Sequence, residues 1–136
     1  MTGLRCLVLL AAWLAAGPAL AEMVVYRFDP LHTQVWWEVR HFGTSIHRGR
    51  FDAAPQGSIG IDRAAGRGEV SLTLATASVS SGVPALDTMI RGPGFLASAA
   101  NPSAYFVATR FSFAGDAPSE VRGEFTLRGV SHPLSL

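Results

Sequence analysis

Four stretches of this chain alternate apolar and polar residues with a period of two, and nothing else in it restricts the fold as much. Successive side chains of a strand point to opposite faces, so this period marks strands with one apolar face; a helix would need 3.6. In QVWWEVRHF, Val35, Trp37, Val39 and His41 share one face, while Glu38 and Arg40 lie on the other. In EVSLTLA, Val70, Leu72 and Leu74 alternate with Glu69, Ser71 and Thr73. AYFVATRFSF places Tyr105, Val107, Phe111 and Phe113 on one side, and EVRGEFTLRG sets Val121, Phe125 and Leu127 against Arg122, Glu124, Thr126 and Arg128.

Turn signals separate these runs at short intervals: Asp29-Pro30, DAAPQGS around Pro55, DRAAG from Asp62 to Gly66 and GDAPS from Gly115 to Ser119. Short alternating strands joined by tight turns indicate an antiparallel sandwich or barrel. The expected strands are Val24–Asp29, Gln34–Phe42, Ser45–Asp52, Ser58–Ile61, Gly68–Thr76, Ala104–Phe113 and Glu120–Arg128. Gly49 and Gly123 interrupt two of them, as a bulge or a tightly curved sheet requires. One segment breaks the rhythm. Ser81 to Ser103 is rich in Gly and Pro, and Pro84 is placed to start a short helix through Ile90 that Gly92-Pro93 ends. Such an excursion covers one end of a core or caps a cavity. The final GVSHPLSL reads as the start of another strand, which would leave a sheet edge uncovered. Either the chain continues beyond Leu136 in its full form or a partner chain, as in a homodimer, supplies the edge.

The first 21 residues have a different character: Arg5, an apolar run from Cys6 to Ala16, Gly17-Pro18 and a small-residue end at Ala19-Leu20-Ala21. This is the layout of a secretory signal cut between Ala21 and Glu22, and the run is too short for a membrane span. The exported domain would then be residues 22–136. It carries ten arginines against ten acids and has no cysteine and no lysine. Such a chain must hold together by packing rather than disulfides, and its neutrality argues against nucleic acid as a partner. No later segment is apolar enough to insert stably in a membrane.

Candidate chemistry is sparse. His32, His41 and His47 are nine and six residues apart across a turn at Gly43, which does not suit a zinc site, and no cysteine is at hand. His41 continues the inward line and is better read as a lone histidine bonded to a neighbour or a ligand headgroup. His32 suits a structural hydrogen bond beside Asp29. No serine stands in a G-x-S-x-G elbow. Asp87 and Arg91, four apart, suit either a local ion pair pinning the loop or a cavity mouth where Arg91 meets an anionic group. What remains is apolar surface: Trp37, Val39, Leu72, Leu74, Tyr105, Val107, Phe111, Phe125 and Leu127 on inward parity, forming either a packed core or the lining of a hollow barrel. In a hollow barrel, burying roughly ten methylenes at about 0.8 kcal/mol each would give a gross gain near 8 kcal/mol without any catalytic group.

Four segments in order resemble a known family. YRFDPLHTQVWWEVRHFGTSIHRGRF is similar to the opening of the YceI-like proteins, Y-x-x-D-x-x-H-[ST]-x-[VI]-x-F-x-[VI]-x-H-x-G-x-S-x-x-x-G-x-F, through Tyr26, Asp29, His32, Thr33, Val35, Trp37, Val39, His41, Gly43, Ser45, Gly49 and Phe51. LDTMIRGPGFL, NPSAYF and VRGEFTLRGVSHPLSL resemble its later landmarks. Leu86 stands where the family carries an arginine, and family members continue past the GVSHPLSL position with further strands. The resemblance implies an extended lipocalin-like antiparallel β-barrel in the periplasm. It implies an apolar channel for a polyisoprenoid or other amphiphilic lipid such as a quinone, with no metal, no other cofactor and no enzymatic activity. The ligand-contacting residues expected on this basis are Val35, Trp37, Val39, His41, Leu72, Leu74, Arg91, Tyr105, Val107, Phe111, Phe125 and Leu127. The competing expectation is a non-enzymatic stress-related or structural protein with a filled core.

Overall fold

The computed structural model describes residues 22–136, so the expected export signal lies outside the described residues. Nine strands follow in chain order: β1 Val24–Arg27, β2 Val35–His41, β3 Ser45–Phe51, β4 Gln56–Asp62, β5 Arg67–Ala75, β6 Val79–Ser80, β7 Ser103–Ala114, β8 Ala117–Leu127 and β9 Val130–Ser135. Among the described residues one α-helix, α1, spans Pro84–Arg91, with Pro84 in its first turn and Gly92 as its C-cap. The alternating runs fold as strands and the proline-led segment folds as a helix, as expected. The final GVSHPLSL supplies β9, paired antiparallel to β8. The two-residue β6 has no sequence signature, being too short to show a period.

Hydrogen bonding divides the strands into two antiparallel ladders: six strands in the order β1-β4-β5-β7-β8-β9, and three in the order β2-β3-β6. They do not close into one continuous sheet. The core lies on one face of the six-stranded sheet, where buried Val70, Phe106 and Ala108 are packed by Phe28, Ile59, Leu72, Phe111, Val121 and Phe125. Neighbours across the ladder explain the cluster, since Val70 stands opposite Ala108, Leu72 opposite Phe106, and Phe106 opposite Phe125.

The register corrects the expected direction of two side chains. The β7–β8 ladder shifts between Ala108 and Arg110, leaving Thr109 as the extra residue. A bulge of this kind reverses side-chain parity on its two sides. Phe111 therefore shares a face with Phe106 and Ala108 rather than with Tyr105 and Val107. Phe106 is 3% exposed, whereas Tyr105 is 46% and Val107 53% exposed. Tyr105 and Val107 belong to the outer face, beside polar Thr73, Ser71 and Glu124.

Local polar contacts fix the turns. Asp62, 1% exposed, accepts from the Ala65 backbone N–H at 2.9 Å and from Arg67 Nη2 at 2.9 Å, closing the β4–β5 connection. Thr76 Oγ1 donates to the Asn101 carbonyl at 2.6 Å and Thr76 N to that of Pro102 at 3.0 Å, tying the end of the long loop to the end of β5.

Candidate functional site

The candidate site is the apolar face that the six-stranded sheet presents. From the expected set, Leu72, Leu74, Phe111, Phe125 and Leu127 lie on this face, with Leu74 2% exposed and the others half-buried. Phe106, Ile59 and Val121 complete it, and sequence parity had missed Phe106. Every residue from Ala104 to Ala108 is apolar, so that stretch offers no contrast between faces, and only the bulge at Thr109 decides which parity is inward. Phe111 lies over Gly68, where an added Cβ would meet the ring at 2.6–2.8 Å, so this glycine makes room for the aromatic side chain.

Val35, Trp37, Val39 and His41 stand together on one face of the other ladder, opposite Phe51, Gly49, His47 and Ser45 respectively. Val35 and Trp37 are half-buried. Trp37 Nε1 donates to the Arg50 carbonyl at 3.3 Å, and the indole stacks on His47 with ring centroids 5.7 Å apart. Val39 is 56% exposed. His41 also departs from expectation. It is the last residue of β2, and it is exposed beside the connection, with its ring edge-on to Phe42 at 4.3 Å between centroids. Parity puts it in line with Trp37, but the position lies at the turn end of the hairpin rather than over packed side chains.

Arg91 makes contacts of the pinning kind. Its Nη1 donates to the Ala77 carbonyl at 3.2 Å and, at a longer 3.5 Å, to that of Val79, so it holds the chain around β6. Asp87 accepts from Ser81 Oγ at 2.5 Å and Ser81 N at 2.6 Å. The loop is thus pinned by both residues, though through these partners and not by a direct ion pair between them. The two hydrogen bonds from Ser81, reinforced by the Arg91 charge, hold the Asp87 carboxyl below the usual carboxylate range.

Asp29 and His32 form the local pair expected of them, with His32 Nδ1 2.8 Å from Asp29 Oδ2, while Asp29 Oδ1 accepts from Leu31 N at 2.8 Å. The histidine contact and the Leu31 N–H lower the Asp29 pKa. Among the described residues no three His, Cys, Asp or Glu side chains converge as metal ligands would. No described helix is long and apolar enough to cross a membrane. The arrangement offers apolar surface and turns held by local hydrogen bonds.

Residues 26–136 match the model of the YceI-like domain. A UPF0312 protein of Pseudomonas putida is 32% identical over 125 residues, covering 91% of this chain and 65% of that protein. One from Azotobacter vinelandii is 33% identical over 132 residues, covering 96% of this chain and 68% of that protein. The chain therefore spans about two thirds of the length of these relatives. Among solved structures, BcnA of Burkholderia cenocepacia superposes with a TM-score of 0.68 at 21% identity, over 79% of this chain and 67% of that one. The YceI protein of Campylobacter jejuni gives 0.60 at 22%, over 81% of this chain and 64% of that one. At such identities the likeness is one of fold, the lipocalin-like antiparallel β-barrel, here with its described strands in two ladders. With the domain model matched along nearly all of the described chain, and the bulged, apolar-faced sheet in place, the protein belongs to the YceI-like family.

Proposed function

We propose that this protein binds and sequesters a polyisoprenoid or another amphiphilic lipid of quinone type in the periplasm, without catalysing a reaction, and that residues 1–21 direct its export. The observation that carries this reading is the continuous apolar strip of Ile59, Leu72, Phe106, Phe111 and Phe125 across four adjacent strands. An isoprenoid tail laid over the half-buried members of the strip, Ile59, Leu72, Phe111 and Phe125, exchanges water for methyl and aromatic surface at about 25 cal/mol per Å², with Phe106 packed beneath them. Family membership supports the same reading.

The test is extraction. Full-length protein, gently purified from its native compartment, should release a stoichiometric isoprenoid lipid or quinone into organic solvent, identified by mass spectrometry. Ligand-free extracts from folded protein that also fails to take up added isoprenoid would overturn the proposal. They would favour a structural protein with a filled core, a reading to which the close packing of Phe111, Val121 and Phe125 against Phe106 lends support.

A further inference from the structure

The β2–β3 hairpin carries side chains that neither the core nor the apolar strip uses. Three apolar side chains near its turn are exposed: Phe42 in the turn at 88%, Ile46 at 47% and, on the opposite face, Val39 at 56%. Arg40 stands level with Ile46, its partner across the ladder, and one residue nearer the turn than Val39, while Arg48 stands two pairs further back, opposite Glu38. Trp36, 62% exposed, is opposite Arg50 on the same face. The hairpin holds three arginines against one glutamate, while the rest of residues 22–136 holds seven arginines against nine acids. Glu38 accepts from Arg48 Nε at 3.0 Å and Asp52 from Arg50 Nε at 2.7 Å. Arg40 has no carboxylate within 4.0 Å among the described residues.

Phe42 is expensive where it stands. Its φ is +49°, followed by Gly43 at +72°, and a bulky residue at positive φ is an outlier that Asn or Gly would relieve. The ring is also almost wholly in water. A residue that is both conformationally strained and badly solvated at the end of a projecting hairpin is accounted for by a second, apolar phase that receives it.

We infer that the hairpin end is a docking element for an anionic lipid bilayer surface: Phe42 enters the acyl boundary while Arg40, level with Ile46, and Arg48, further back, meet headgroup phosphates. The dimensions agree. Arg40 is two residues behind Phe42, one step along β2 and one into the turn, so at most about 7 Å at a strand rise of roughly 3.3 Å per residue. Interfacial elements bury their apolar side about 5–10 Å deep, which places Arg40 at the headgroups. Docking of this kind is reversible and leaves no strand across the bilayer. The hairpin end lies apart from the apolar strip of the six-stranded sheet, so this inference does not rest on what that strip binds.

Co-sedimentation of the intact protein with vesicles tests it. Vesicles of phosphatidylcholine and phosphatidylglycerol at about two to one should bind the protein, vesicles of phosphatidylcholine alone should bind it several-fold less, and added salt should narrow the gap. Arg40→Gln should weaken binding to the anionic vesicles by about fivefold. Phe42→Asn should weaken it by about tenfold or more. Because Asn accepts positive φ, this variant should melt no lower than the parent, which separates lost docking from lost folding. Equal binding of parent and Phe42→Asn to anionic vesicles, equal binding of the parent to both vesicle types, or no binding at all would overturn the inference.

Discussion

The indole of Trp37 occupies the space over Gly49, its partner across the β2–β3 ladder: a Cβ built on Gly49 would collide with Cζ2 and Cε2 of that ring and with the Ser80 carbonyl of β6. The glycine is what allows a large aromatic side chain and a third strand to approach the same point. Gly49→Ala should destabilise the protein by about 1–3 kcal/mol, the usual cost of overpacking. Combining it with Trp37→Leu should recover part of the loss, since the Ser80 backbone cannot yield as a side chain does. Urea denaturation of the two single variants and the double variant checks this; strictly additive losses would show that Trp37 and Gly49 do not compete for that space.

The bulge at Thr109 makes a sharper prediction, because it reverses the faces that simple alternation assigns. Phe106→Ala should cost about 3–5 kcal/mol, as truncation of a buried phenylalanine does. Val107→Ala should stay within about 0.5 kcal/mol, as most exposed positions do. Comparable losses at the two positions, measured by thermal or chemical unfolding, would mean that β7 runs without the bulge.

These two cases show where sequence was informative. Alternation identified β2, β5, β7 and β8 because charged or hydroxyl residues on one parity contrast with apolar ones on the other, as Glu38 and Arg40 do against Trp37 and Val39. Pro84 and Gly92 marked the helix because proline suits a first turn and the chain cannot continue helical into Pro93. In β7 the contrast vanishes, since Ala104 to Ala108 are all apolar, and parity carried back from Phe111 crossed a bulge that no residue type announces. For His41, parity gave the face it occupies, in line with Trp37, but not its exposure, because parity does not say how far along a face the packing extends. Arg91 was legible as a pin, but its partners are main-chain carbonyls of a segment with no periodicity.

Asp87 provides a pH dependence. Its folded carboxyl titrates below the ordinary value of 3.8, held there by Ser81 and, less strongly, by the Arg91 charge. A depressed folded pKa contributes stability that is fully present above the unfolded value and is lost as pH falls through it toward the folded one. The melting temperature of the parent should therefore fall between about pH 5 and pH 2. Asp87→Asn should melt lower at neutral pH and show a shallower acid slope. Asp29, Asp62 and Glu120 are depressed in the same direction, so the slope should shrink without vanishing. An unchanged slope in Asp87→Asn would show that Ser81 does not distinguish the charged carboxyl from the neutral one.

The contacts of Arg91 separate a structural arginine from one that receives a ligand. Its guanidinium is committed to the Ala77 and Val79 carbonyls, and Val79 is only 3% exposed. Arg91→Ala leaves those acceptors short of a donor, at a cost of about 1–3 kcal/mol. It also loosens the following segment, in which Phe95 is 51% exposed. Chymotryptic cleavage at Phe95 should accelerate in the variant. Affinity for a neutral isoprenoid and for an isoprenyl phosphate should then change by the same factor, because the lost interaction is with the protein's own backbone. A selective loss of the phosphate ligand, with cleavage at Phe95 unchanged, would instead place Arg91 at a ligand headgroup.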